Sequence, residues 1–368
     1  MDPRTTKLAE TLVNYSVGIQ PGDWVWIRGS ALAEPLVTEV VRLVTCAGGN
    51  YTVTLNQESL DEAFLENADE AQLQWIDPTE KILWEQIDAL ISIRAVQNTR
   101  TLTGINPEKQ RLQQMSRREL VDTYMRRSAD GSLRWVGTQY PCQAYAQEAD
   151  MSLNAYTDFV YQATFADQPD PVARWQEVHQ TQQRLVDWLS GKQQVTVKGP
   201  HVDLSLSIAG RTFINSDGKK NMPSGEIFTG PVEDSANGWV HFTYPAIRGS
   251  REVEGVRLEF TDGKVVRATA EKNEDYLISQ LDIDAGARYL GEFAIGTNYG
   301  IDRFTKSILF DEKIGGTFHI AVGAGYPETG SLNKSSLHWD FICDMRTESE
   351  IRVDGELFYQ NGRFLLEE

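Results

Sequence analysis

The imidazole supply of the 368-residue chain is five histidines: His179, His201, His241, His319 and His338. None opens an H-E-x-x-H motif, which removes the usual helical zinc-protease arrangement. No G-x-S-x-G occurs, so the serine-hydrolase elbow is absent. No C-x-x-C occurs either, which removes a zinc knuckle or dithiol pair. What remains is a carboxylate–imidazole set in the second half. His338-Trp339-Asp340 spaces an imidazole and a carboxylate two apart, and in a strand such residues share a face. Together they form a mixed N/O pair suited to Zn, Co or Mn. His319 lies in TFHIAVG, where Phe318 and Ile320 point away from its face if the segment is a strand. Glu226 follows the Pro223-Ser224-Gly225 turn signal and runs straight into Ile227-Phe228. A partly buried carboxylate there needs a partner, and a metal is one. Glu292 is embedded among Leu290, Phe293 and Ile295, an unusual setting for an unpaired charge.

Each of these residues alone has an ordinary reading, as a surface charge or a satisfied core histidine. Together they are two glutamates, two histidines and an aspartate in one β-rich region. Five mixed ligands exceed the needs of one catalytic zinc. They suit two metals about 3.5–4 Å apart that share a bridging carboxylate. The glycine-rich segment GAGYPETG at 323–330 invites a phosphate-loop reading. It lacks the last glycine of G-x-G-x-x-G and the Lys-Ser/Thr ending, and Pro327 interrupts a helix start, so it reads as a loop.

These residues must be held by elements whose periodicity changes along the chain. In the first half, Leu8, Leu12 and Tyr15 recur at helical spacing. Pro21-Gly22-Asp23 is a turn signal before the strand WVWIRG. Leu36, Val40, Leu43 and Val44 mark a helix over 33–46 that Gly48-Gly49 ends. The strand YTVTL, a helical stretch around 70–86 and the run ALISI at 89–93 follow. That alternation predicts an α/β N-terminal domain with a mostly parallel sheet. Residues 96–165 have no assignable topology. Asp170 and Pro171 start a helix over 170–190 that Gly191 caps. After it the period becomes two: Val195 and Val197, then Val202, Leu204, Leu206 and Ile208. Asp262-Gly263 and Asn361-Gly362 each sit between strand-like runs as hairpin signals, and a helix falls near 274–288. The expected organisation is an α/β N-terminal domain over 1–191 and a β-rich α+β metal-binding domain over 192–368.

Composition narrows the class of partner. There are 53 acidic against 35 basic residues, a net charge of −18. Such a chain offers no basic stripe for nucleic acid and no polybasic membrane surface. Hydrophobic content of 40% suffices for a sizeable core. No apolar run approaches the length of a membrane span. Cys46, Cys142 and Cys343 are too few for a disulfide framework, and the start MDPRTTKLAETLV has no apolar leader. The expected compartment is the cytoplasm.

The words NMPSGEIFTGP, GEFAIGTN, ILFDEKIGGTFHIAVGAGYPETGSLNKSSLHWDF and YSVGIQPGDWVWIRG resemble the aminopeptidase T and aminopeptidase S family of dinuclear metallo-aminopeptidases. The resemblance runs from about Leu8 to the last hairpin and is densest from Asn221 to Phe341. It implies two divalent metal ions (Zn, Co or Mn) held by Glu226, Glu292, His319, His338 and Asp340, with Glu292 bridging. It implies that Tyr326 is catalytic, seven residues after His319. It places Glu312 beside the metals, as a ligand or next to one. The KIGG segment after Glu312 is longer than in some members of the family. The implied activity is release of N-terminal amino acids from peptides with a free N-terminus, by a homodimer. Two alternatives stand beside it. One is a mononuclear iron ring-cleaving dioxygenase of the same fold, which needs only the His/His/Asp part. The other is a peptide- or metal-binding protein without turnover.

Overall fold

The computed structural model describes residues 2–249 and 251–366. The chain forms two compact units. One is the segment up to Arg174 with Gly218–Pro223; the other is Trp175–Asp217 with the chain from Ser224 onward.

Strands are numbered along the chain. In the first unit, β1 (Trp24–Ser30), β2 (Asn50–Asn56), β3 (Ala89–Arg94), β4 (Arg134–Gln139) and β8 (Asn221–Met222) form one sheet. Its order is β2-β1-β3-β4-β8, and every pairing is parallel. Between β1 and β2 the Glu34–Cys46 helix buries Leu36, Val37, Val40 and Val44, the face its spacing predicts. It ends where Gly48 takes φ 82°, and the Gly49 N–H donates to Val44 O at 3.0 Å. Between β2 and β3 the chain departs from the single helical stretch expected at 70–86. It makes three helices: Glu58–Asn67, Glu70–Gln74 and Pro78–Gln86. Pro78 disfavours the α conformation at Asp77. Asp77 then caps the next helix, accepting from Thr79 N at 2.8 Å. The stretch without sequence assignment holds the Pro107–Ser116, Arg118–Ala129, Gln143–Glu148 and Leu153–Ala163 helices around β4. Pro107–Ser116 buries no residue, so it carries no apolar stripe to read.

The second unit is a pair of antiparallel sheets. The larger contains β5 (Gln194–Gly199), β6 (Val202–Ser207), β10 (Asn237–His241), β13 (Arg257–Thr261), β14 (Lys264–Thr269), β18 (Glu350–Val353), β19 (Glu356–Gln360) and β20 (Arg363–Phe364). Its order is β14-β13-β10-β6-β5-β18-β19-β20. Asp262-Gly263 joins β13 to β14, and Asn361-Gly362 joins β19 to β20, with positive φ at both residues of each turn. A short pair, β11 (Ala246–Arg248) and β12 (Arg251–Val253), stands apart. The smaller sheet contains β7 (Ile214–Ser216), β9 (Glu226–Thr229), β15 (Leu290–Gly296), β16 (Thr317–Gly323) and β17 (His338–Asp344), in the order β17-β16-β15-β9-β7. One core joins the two sheets: Val195, Val197, Leu204 and Leu206 from the larger, and Ile227, Phe293, Ile320 and Phe341 from the smaller. Each such large apolar side chain stabilises the unit by about 1.5–3 kcal/mol when fully buried.

The smaller sheet has two chemically opposite faces. One carries Ile227, Phe293, Ile295, Phe318, Ile320, Val322, Trp339 and Phe341 into the core. Alternation leaves Glu226, Glu292, Ala294, His319, Ala321, His338 and Asp340 on the other face. Register brings them into line. Glu292 lies opposite Ala321, which lies opposite Asp340; Ala294 lies opposite His319, and Gly296 opposite Glu226.

Candidate metal centre

The polar face is roomy because the positions between its charges are small. Ala294, Gly296, Ala321 and Gly323 occupy the places where a larger residue would fill the space between carboxylates. The approach to each glutamate also needs glycine. Gly225 has φ +112°, and a Cβ there would lie 2.7 Å from the Asn298 Cβ. Gly291 passes so close to Ala324 O that no side chain fits, and the register shifts between Leu290 and Glu292 at that point. The shift sets where the Glu292 carboxylate emerges.

Glu292 is the centre of the cluster. Its Oε1 lies 3.3 Å from His319 Nε2 and its Oε2 lies 3.6 Å from His338 Nε2. Glu226 Oε2 is 3.5 Å from His319 Nε2, and Asp340 Oδ1 is 3.5 Å from His338 Nε2. Three overlapping triads have ligand atoms within 4.8 Å of one another: Glu226/Glu292/His319, Glu292/His338/Asp340 and Glu312/His319/Asp340. The first two share Glu292. All of the sequence-derived carboxylates and imidazoles therefore converge. Glu312, just after the Ile308–Asp311 helix, converges with them despite the longer KIGG segment.

The chemistry of this donor set fits divalent cations. Four carboxylates and two imidazoles meet here, with Glu226, Glu292 and His319 buried and Glu312, His338 and Asp340 partly exposed. Glu226 Oε2 and His319 Nδ1 are buried without a hydrogen-bond partner among the described residues. Burial pushes the carboxyls of Glu226, Glu292 and Glu312 upward. Burial opposes the charged form of His319, yet the Glu292 and Glu226 carboxylates raise it to about 9. His338 is raised to about 10 against its burial by Asp340 and Glu292. Asp340 is depressed despite burial, chiefly by His338. Such mutual holding of protons and charges is what a cation would replace. His338 Nδ1 is 2.7 Å from Ala324 O, so as the N–H it donates to that carbonyl and leaves Nε2 free to ligate.

Tyr326 stands at the rim, 38% exposed. Its ring centroid lies 5.4 Å from that of His338 and 5.4 Å from that of Phe228. Desolvation, then the Glu292 and Asp340 charges, push its phenol well above the usual value, so it stays a donor. Sequence reasoning missed Lys313. This lysine is fully buried, its Nζ touches Glu312 Oε1 and it lies 3.7 Å from Glu226 Oε1. Its setting, directly after Glu312 and before Ile314-Gly315-Gly316, does not distinguish it from a surface lysine. Burial opposes its charge, but Glu226 and Glu312 hold it cationic.

The sequence profile of the thermophilic metalloprotease (M29) family matches residues 1–364. The chain belongs to the M29 metalloprotease family. Among its M29 relatives, aminopeptidase 2 of Geobacillus stearothermophilus is 28% identical, over 95% of this chain and 93% of that protein. Aminopeptidase T of Thermus thermophilus is 26% identical, over 97% and 95%. The solved structure of AmpT from Thermus thermophilus superposes with a TM-score of 0.86 over 99% of each chain, at 23% identity. The fold extends beyond peptidases: 2,5-dihydroxypyridine dioxygenase of Pseudomonas putida superposes with a TM-score of 0.57 at 12% identity, over 99% and 97%. For this M29 chain the family match decides against the dioxygenase alternative. Among the described residues no helix is long and apolar enough to cross a membrane.

Proposed function

We propose that this chain is a metal-dependent aminopeptidase that removes N-terminal residues from peptides at two divalent metal ions (Zn, Co or Mn). Glu226, Glu292, His319, His338 and Asp340 hold the pair. The observation that carries this reading is Glu292, whose two oxygens face two different imidazoles at 3.3 and 3.6 Å. That is where a bridging carboxylate belongs. The bound ions supply Lewis acidity and a water whose pKa falls toward about 7.

The remaining steps belong to side chains. Because Glu292 would hold both ions, Glu312 would be the better proton acceptor for a water there. Lys313 at the same carboxylate fixes its position. Tyr326, kept protonated, donates to the oxyanion that forms as the carbonyl is attacked; such a donor contributes about 2.7–4 kcal/mol. The acidic surroundings suit the ammonium of a free peptide N-terminus and select for exo-cleavage. We further propose a cytoplasmic homodimer. The support is the resemblance to aminopeptidases T and S, together with three cysteines that are all free.

The test is release of leucine from a Leu-first dipeptide by chelator-stripped protein, with Zn, Co or Mn added back. Metal-dependent release from the free peptide, and none from its N-acetyl form, is expected. No release with any metal, or equal cleavage of the acetylated peptide, overturns the reading.

A further inference from the structure

The first unit contains a cavity of its own, apart from the cluster carried by the second. The strand order β2-β1-β3-β4-β8 is that of a doubly wound sheet whose connections reverse direction between β1 and β3. In such sheets ligands bind in the crevice beyond the carboxyl ends of the strands at that reversal. A cavity of about 290 Å³ lies at this place, lined by the ends of β1, β2 and β3 and by the start of the Glu58–Asn67 helix. That volume sits at the small end of the range for small-molecule sites.

Its charges are arranged in opposition. Arg28 of β1 lies over the Trp26 ring, 4.9 Å from the centroid. Among the described residues its guanidinium has no hydrogen bond or ion pair; burial works against its charge, and the carboxylates that favour it, Glu80 and then Asp61, act without contact. Arg94, exposed at the end of β3, adds a second guanidinium that has no ion pair among the described residues. Across from them, on the first turn of the helix, are Glu58 and Asp61. Glu58 Oε1 already accepts from Gln97 N at 2.6 Å. Among the described residues Asp61 makes no hydrogen bond or ion pair, and the Arg117 charge and then that of Arg28 act on it without contact. Ile93, Ala95 and Val96 give the cavity an apolar side. A guanidinium in a crevice with no acid in contact favours an anion. A phosphate would also meet Glu58 and Asp61. A zwitterion satisfies both walls.

We propose that this crevice binds a free α-amino acid, its carboxylate on Arg28 and Arg94 and its ammonium toward Asp61 and Glu58. The site would let the unit sense the kind of molecule an aminopeptidase releases; binding itself does not depend on the metal centre.

The experiment is calorimetric titration of the intact metal-loaded protein with each of the twenty common amino acids, with N-acetyl-leucine and leucinamide, and with inorganic phosphate. At least one apolar amino acid should bind with a Kd of about 1 mM or tighter, its acetylated and amidated forms at least tenfold more weakly, and phosphate not at all. Arg28→Gln should weaken binding at least tenfold and leave peptide hydrolysis without added amino acid unchanged. Residual binding in that variant belongs to the catalytic site. Should Arg28→Gln fail to fold, Arg94→Gln decides by the same criterion. No amino acid binding in the wild type, tighter binding of phosphate, or unchanged affinity in the deciding variant overturns the proposal. Failure of peptide hydrolysis with binding intact would count against the peptidase reading alone.

Discussion

Glu292 sits at 5% exposure between two imidazoles, which oppose the upward push of burial on its carboxyl. Without a partner a buried carboxylate would be neutral. Tyr326 differs in kind, since it borders the cluster and ligates nothing in it. Tyr326→Phe should therefore leave metal content unchanged and lower kcat about 10²–10³-fold, the loss typical of one oxyanion donor. Equal kcat, with equal metal content by elemental analysis, would remove Tyr326 from the reaction. At this scale the sequence was unusually readable. Glu226 and Glu292 each stand beside large apolar residues, and burial of a charge there demands a partner. Lys313 was not readable, because lysines beside glutamates are common on surfaces. Only the fold shows that this one is buried against two carboxylates.

At the scale of the element, the site is one face of a sheet, and its room comes from alanine and glycine. Ala321 sits between Glu292 and Asp340 across three strands. Ala321→Leu should fill that gap and abolish metal binding, while costing about 1–3 kcal/mol of stability by overpacking. Retained metal in a folded variant, measured by elemental analysis beside circular dichroism, would contradict the role given to this small residue. The period-two signal was clear in β5 and β6, whose outer faces are wet. It was absent from β15 and β16, every residue of which is buried, so hydropathy could not assign their faces. The same physics hid the helices before β4. Pro107–Ser116 buries nothing, and the break before Pro78 depends on a single residue's backbone preference.

At the scale of the whole molecule, the change from helical to strand periodicity located an α/β part followed by a β-rich part. The return of Gly218–Pro223 to the first sheet left no trace, since two residues of β8 are too few for a pattern. With a net charge of −18 the folded state has much carboxylate repulsion to offset. Lys306 and Lys272 do so at Glu252, 2.9 and 3.3 Å from its two oxygens. Partial burial opposes this, but hydrogen bonds with Lys306, Glu254 and Lys272 hold Glu252 at about 2, down from 4.5. A depressed carboxyl stabilises above its unfolded value and loses that contribution as the pH falls through the folded one. Glu252→Gln should thus lose on the order of 1 kcal/mol near neutral pH, after allowance for solvent screening. The difference from wild type should shrink between pH 4.5 and about 2 in urea titrations; a gap that stays constant through that window would refute this account.

The central claim is that Glu292 joins two metal sites. Elemental analysis of dialysed protein, wild type beside Glu292→Ala, tests it directly. The account predicts about two divalent ions per chain in the wild type, as dinuclear sites hold, and loss of at least one in the variant. A single ion in the wild type, or full occupancy in the variant, would contradict it.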